Sequence, residues 1–243
     1  MESFRNLKFK TNKIIKQGWI KSISNGFGNA GITFEHLLGK PRENFEIPDY
    51  NGIEIKTKSY GTEKYISLFS ATPDSFLFET KRIQKTYGYP DKTYPEYKVF
   101  NMAIFANKRT LINNNITAQL YVDYAKKNIV LRFYNSKNEI IDENSAWSFD
   151  IIEEKLTRKF QRLFVVRYLK KINNGIEYFK YQNYKCYKLK SFEKFIKEIE
   201  AGNIRITFKL GIYKSGKKLG QMYDHGTTFD IHRDNLKKIF YTL

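Results

Sequence analysis

Asp49, Glu54 and Lys56 are the residues of this chain whose types and spacing best suit chemistry on a phosphate ester. They stand in Ile47-Pro48-Asp49-Tyr50-Asn51-Gly52-Ile53-Glu54-Ile55-Lys56. Asn51-Gly52 signals a turn, and Ile53, Ile55 and Thr57 alternating with Glu54, Lys56 and Lys58 predict a strand after it. Residues two apart on a strand share a face, so Glu54 and Lys56 are expected on one side and Ile55 on the other, in the core. The turn would return Asp49 to Glu54. Two carboxylates with the Ile55 carbonyl suit a hard cation such as Mg2+, which keeps several waters. Such an ion polarises a phosphodiester and lowers the pKa of a water, while Lys56 orients that water or steadies the developing charge. The same spacing also describes an ordinary solvated strand of alternating Glu and Lys.

The elements needed to hold these groups are legible around them. Apolar positions at Phe4, Leu7, Ile14, Ile15, Trp19 and Ile20 suit a helix or two over 4–24. Residues 25–31 read as a Gly-rich loop, and Thr33 as a cap on the short segment 34–38 that Gly39 closes. Ile66-Ser67-Leu68-Phe69 predicts a second strand, and 86–98, with two prolines and four tyrosines, a loop or arm. Leu120–Tyr124 and Ile129–Phe133 flank Lys126-Lys127-Asn128 as a hairpin. Helical spacing runs over 148–162, then Leu163-Phe164-Val165-Val166 reads as a buried strand. A strand, a helix over 191–200, a strand over 204–212 and a helix over 233–240 complete an α/β or α+β chain.

The chain has 243 residues, 41% apolar and 16% aromatic, enough for a real core and one large or two small domains. The single cysteine, Cys186, excludes an intrachain disulfide and suits a reducing cytosol. No apolar run reaches membrane-spanning length, and MESFRNLKFK lacks a signal-peptide stretch. The net charge of +18 strains a compact fold and points to a polyanionic partner. From Lys155 to Lys218 there are 18 Lys or Arg against 4 Asp or Glu, interleaved with aromatics, a mixture suited to nucleic acid. An AT-rich genome would leave a similar composition.

Gly31-Ile32-Thr33-Phe34-Glu35-His36-Leu37-Leu38-Gly39, with Pro48-Asp49 and Glu54-Ile55-Lys56-Thr57, resembles the MvaI/BcnI-like restriction endonucleases and the related repair nickase MutH, within the PD-(D/E)XK superfamily. The likeness extends to Ala146-Trp147-Ser148-Phe149-Asp150 and to 211–218 and 224–229; residues 86–118 carry no recognisable likeness. The resemblance implies a mixed sheet flanked by helices in a two-lobed, C-shaped monomer, with a DNA cleft between a nuclease lobe, mainly 1–150, and a recognition lobe, mainly 151–243. It implies Asp49, Glu54 and the Ile55 carbonyl as metal ligands and Lys56 as the catalytic lysine. Glu35 would be the extra helix acid beside the site, and Lys58 a phosphate contact or plain surface charge.

Three other motif readings of the C-terminal segment fail. Gly211-x-x-x-x-Gly216-Lys217 nearly matches a phosphate-binding loop, but Lys218 stands where Ser or Thr would touch Mg2+. Gly211-Ile212-Tyr213 mimics a GIY-YIG nuclease but has no second element after it, and His225 and His232 lack the company a zinc site needs. Lys214, Ser215, Lys217 and Lys218 remain as phosphate contacts, which fix register without reading sequence. The family likeness adds Thr207, Lys209, Asp224, His225, Thr227 and Asp230 as recognition residues, since an Asp accepts from cytosine and a His donates to guanine. The plainer reading makes 224–226 a tight turn. In the family pattern an acidic residue and an arginine stand at the places of Thr207 and Lys209, and an arginine at that of Asp230, so the target need not be identical.

The expected function is therefore a Mg2+-dependent (Mn2+ substituting) type II restriction endonuclease. It would cut double-stranded DNA at a short CC-N-GG-like site by sequential nicking, in a prokaryotic cytoplasm, with no membrane or obligatory protein partner. The alternatives are a MutH-like nickase and a non-catalytic DNA-binding protein.

Overall fold

The computed structural model describes residues 2–26, 28–39, 48–61, 64–113 and 115–243, the side chains of Glu2 and Ser3 excepted; Ile47 lies outside them. The chain forms two compact units, the first from 1–64, 155–190 and 237–243, the second from 65–154 and 191–236. Unit 1 opens with α1 (Glu2–Lys16), β1 (Trp19–Lys21), α2 (Asn29–Leu37) and β2 (Glu54–Ser59). Unit 2 follows with β3 (Tyr65–Ser70), α3 (Glu79–Tyr87), β4 (Tyr89–Pro90) and β5 (Lys98–Ile104). It continues through β6 (Thr110–Asn113), β7 (Ile116–Asp123), β8 (Asn128–Tyr134) and β9 (Ile140–Ser148). The division falls inside α4 (Phe149–Phe160), after which β10 (Arg162–Asn173) and β11 (Ile176–Leu189) return to unit 1. The chain then gives unit 2 α5 (Phe192–Glu200), β12 (Ile204–Ile212), β13 (Met222–Asp224) and β14 (Thr228–His232). It ends with α6 (Leu236–Ile239) and β15 (Phe240–Thr242).

The sheet of unit 1 is mixed, in the order β1-β11-β10-β2, with β15 added to β11. β10 runs parallel to β2 and antiparallel to β11, and as an interior strand it is apolar without alternation: Leu163, Phe164, Val165 and Val166 are all buried. Ile55 of β2 packs with Phe164, Val166 and the α1 and α2 residues Leu7, Ile14, Ala30 and Phe34. Unit 2 carries a sheet ordered β3-β14-β12-β5-β4 and a meander β6-β7-β8-β9. β12 alternates buried and half-buried residues, so Ile204, Ile206, Phe208 and Leu210 face a core shared with Trp147 and Phe229 while Arg205, Thr207 and Lys209 line the other face.

This partition differs from one boundary near residue 150. Residues 155–190, expected in the recognition lobe, fold with Asp49 and Glu54, and 65–154 fold with the recognition candidates. The cause is pairing: β2 finds its parallel partner in β10, and β3 and β5 find theirs in β14 and β12. Two local expectations also change. α2 starts at Asn29 behind Gly28, whose φ of 82° is left-handed, and Thr33 is an interior, buried helix residue whose hydroxyl accepts from the Ile23 N–H. The last helix shrinks to a 3-10 turn and four residues, because Phe240 and Tyr241 pair with β11 instead. Segment 86–118, which carries no recognisable family likeness, supplies β5 and so flanks β12, with Ala103 opposite Thr207 and Asn101 opposite Lys209. Among the described residues no helix is long and apolar enough to cross a membrane.

Candidate active site

The turn before β2 forms as a two-residue hairpin. Tyr50 and Ile53 exchange both backbone hydrogen bonds at 2.9 Å, and Asn51 and Gly52 have φ of 44° and 78°. Two successive positive φ values make this the primed turn that Asn-Gly favours. The hairpin returns Asp49 so that its Oδ2 accepts from the Ile55 N–H at 2.8 Å. The carboxylate is thereby anchored to the strand that carries Glu54.

Glu54 is 1% exposed. Its Oε1 takes the Lys56 ammonium at 2.6 Å and the Lys159 ammonium at 3.5 Å. Burial pushes the Glu54 carboxyl above its ordinary range; Lys56 opposes that, Asp49 adds to it and Lys159 opposes it. Lys56 lies over the Phe160 ring, 5.6 Å from its centroid, and half-exposed on the Glu54 side of β2, while Ile55 points into the core. Asp49, Glu54 and Lys56 are therefore brought together.

Lys159 was not foreseen. It stands in the last turn of α4, four residues before Leu163, and Leu163 is the parallel-strand neighbour of Glu54. The basic run Lys155, Arg158, Lys159, Arg162 before an apolar strand is the signal in the sequence, but only the β2–β10 pairing says which acid it meets.

Glu35 is half-buried on α2. A methyl group at Gly31 would sit 3.5 Å from Thr57 Oγ1 and 3.9 Å from Glu35 Oε1, which sets Glu35 beside Thr57. Its charge, after burial and Tyr168, also helps raise the Tyr181 phenol. Among the described residues no three Asp, Glu, His or Cys side chains gather as one metal-binding group, so Glu35 does not join Asp49 and Glu54 in a common ligand set. The two carboxylates and the Ile55 carbonyl still fit a divalent ion. Glu54 Oε2 is buried with no hydrogen-bond partner, a desolvated anionic oxygen of the kind a cation satisfies.

Lys58 follows on the same strand and lines an open cavity of about 280 Å3 with Gly28, Asn29, Thr57, Lys170 and Glu177. The other expected DNA contacts belong to unit 2. Lys209 is half-buried on β12 and Ser215, Lys217 and Lys218 are exposed around a three-residue 3-10 turn, too short to be a phosphate-binding helix. Lys214 reaches Asp91 at 3.0 Å and still exposes half its side chain. Asp224 Oδ1 accepts from the Gly226 N–H at 2.7 Å, so the tight turn exists; the exposed His225 ring meets Tyr223 edge-on at 4.2 Å. Two expected contacts turn inward: Thr227 is fully buried, and Asp230, 3% exposed, accepts from the Thr207 hydroxyl at 2.7 Å. Asp230 lies opposite Arg205 on the sheet's polar face.

The model of the MvaI/BcnI restriction endonuclease family matches residues 8–240. Among solved structures, the restriction endonuclease MvaI in complex with its cognate DNA substrate aligns with a TM-score of 0.90 and 27% identity, covering 100% of this chain and 98% of that one. MvaI in the absence of DNA aligns with a TM-score of 0.64 and 26% identity, covering 100% and 97%. Among curated proteins none matches by sequence.

Proposed function

The chain belongs to the MvaI/BcnI restriction endonuclease family, and from that membership we propose that it is a Mg2+-dependent type II enzyme cutting double-stranded DNA at a short CC-N-GG-like site, one strand after the other. The coarser activity, a DNA-cleaving hydrolase, follows from the family. Enzymes of this kind use divalent metal ions, and Asp49, Glu54 and the Ile55 carbonyl are the groups that would hold one here. When bound, the ion supplies a Lewis acid for the phosphodiester and a lowered pKa for the attacking water. The chain's own part is positional. Ile55 N–H and the primed turn fix Asp49, and the parallel neighbour β10 fixes Glu54. Lys56, held at 2.6 Å from Glu54, presents its charge where the phosphate becomes more negative. Lys58 takes a neighbouring phosphate. DNA is the partner in the solved MvaI complex, and the net charge of +18 supports the same partner here.

The observation that carries this reading is the meeting of Asp49, Glu54 and Lys56 at the mouth of β2, with one Glu54 oxygen buried and unpaired. Incubation with plasmid and Mg2+ is expected to give an open-circle intermediate, then linear DNA, and Lys56→Ala is expected to lower the rate at least roughly 100-fold. Cleavage that ignores the Lys56 substitution, or no cleavage with Mg2+ or Mn2+, overturns the reading. Open circle as the final product, with strand choice set by methylation, would make it a nickase.

A further inference from the structure

The polar face of the unit 2 sheet holds an arginine that the expected recognition set omits. Arg205 of β12 pairs across the sheet with Asp230 of β14, which pairs in turn with Ser67 of β3. The Arg205 guanidinium carbon lies 3.4 Å from the centroid of the Tyr65 ring, and Nε stands 3.6 Å from Asp230 Oδ2, too far for a hydrogen bond. Tyr65 is itself braced edge-on by His232 at 5.3 Å. Asp230 Oδ1, Arg205 Nε and the Thr227 and Thr228 hydroxyls are buried without hydrogen-bond partners, four of the eight such atoms among the described residues.

A half-satisfied buried carboxylate beside a poorly paired arginine does not favour folding; replacing such a pair by apolar groups is often neutral or stabilising. What the arrangement does is fix a plane. The ring lies under the guanidinium, Asp230 faces its Nε edge, and Thr207 fixes Asp230. The side chain keeps 22% exposure although Nε is buried, and among the described residues no hydrogen bond engages its terminal nitrogens. Their fork of donors is oriented and unengaged.

Resting on the restriction-endonuclease reading, we propose that Arg205 reads a guanine of the target, donating its two terminal nitrogens to O6 and N7, with Asp230, Thr207 and Tyr65 as positioning residues. Guanine is the base that offers two acceptors at that spacing in the major groove. An arginine presents the matching fork, whereas lysine is a point charge. The Arg205–Asp230 pair then supplies a base-reading arginine to a face whose Lys209 lacks that fork. The buried Asp230 also gains a role, as the floor of a reading position.

The test compares cleavage ends from a random DNA library for the wild type, Arg205→Lys and Asp230→Asn. Substrates carrying 7-deazaguanine at each guanine of the selected site follow. Arg205→Lys is expected to lower kcat/KM at the wild-type site roughly ten- to a hundredfold and to relax selection at one G·C pair only. Asp230→Asn is expected to relax the same pair by less. 7-Deazaguanine at that position should slow the wild type and leave Arg205→Lys unaffected, a readout that a structural role would not move. Thermal melts of each variant separate folding from reading. A wild type that cuts at a fixed site, with Arg205→Lys selecting every position as sharply, overturns the assignment alone; a uniform loss at all sites does so too, because it marks a phosphate contact. A wild type that selects no site overturns the restriction reading and the assignment with it.

Discussion

Glu54 joins a buried oxygen with no partner to an oxygen shared by two lysines, so its environment disfavours the bare anion and favours it once a cation is supplied. Divalent metal should therefore stabilise the folded chain. At a concentration near ten times its dissociation constant the gain is about 1.4 kcal/mol, read as a rise in melting temperature that Glu54→Gln and Asp49→Asn abolish. The sign with pH follows from the raised carboxyl: protons compete with metal at higher pH than they would at an ordinary glutamate, so the stabilisation fades earlier on acidification. Lys159, 3.5 Å from the same oxygen, is a weaker partner than Lys56. Lys159→Ala is expected to slow plasmid cleavage roughly tenfold, about 1.4 kcal/mol, against the larger loss for Lys56→Ala. Equal losses would mean that the two cations act as one unit.

Between residues and sheets the primed turn at Asn51-Gly52 is the most exacting element, because Asp49 depends on it. Nothing crowds the space a Gly52 side chain would occupy, so Gly52→Ala tests backbone strain alone at φ 78° and is expected to cost about 1–2 kcal/mol in melting experiments, with cleavage falling as Asp49 moves. In unit 2, Arg82 ties α3 to β9 by bonding Glu79 at 2.9 Å and Asp142 at 2.5 Å. Burial alone would raise the Asp142 carboxyl, but Arg82, the Asn144 N–H and the Tyr87 hydroxyl outweigh it and hold it low. Its contribution is present above the ordinary aspartate value and lost as pH falls through the lower folded one. Asp142→Asn should therefore cost about 2 kcal/mol at pH 7, less than a fully buried pair because Arg82 is 35% exposed, and the difference should narrow below about pH 4. The turn, β2, the β7–β8 hairpin and α5 were all legible, since each is set by residues a few places apart. The start of α2 was not, because Gly28 caps it by backbone conformation rather than by a side chain. Arg205 and Lys159 were not, because their partners Asp230 and Glu54 are chosen by strand pairing across 25 and 105 positions.

Over the whole molecule, charge and connectivity follow different divisions. From Lys155 to Lys190 eleven Lys or Arg accompany a single acid, Glu177, and this stretch folds in the unit that holds Asp49 and Glu54. The unit with the carboxylates thus carries the strongest attraction for a polyanion, which offsets the repulsion those acids present to DNA. If about 6–10 phosphates are contacted, DNA affinity without divalent metal should fall by roughly 10^3–10^5 between 50 and 200 mM salt. Connectivity makes the units inseparable by one cut. A chain ending at residue 150 keeps β2 without β10, and β3 and β5 without β14 and β12, leaving strand edges and apolar faces such as Ile55 and Phe69 unpaired. The complementary piece keeps β10 without β2 and β12 without β5, one flank of each left open. Fragments 1–150 and 151–243 are each expected to lack a cooperative melt and to aggregate through those open edges. A sharp transition with dispersed amide signals from either fragment alone would show that the strand pairings joining the two halves are dispensable, and that a division near residue 150 describes the folding units after all.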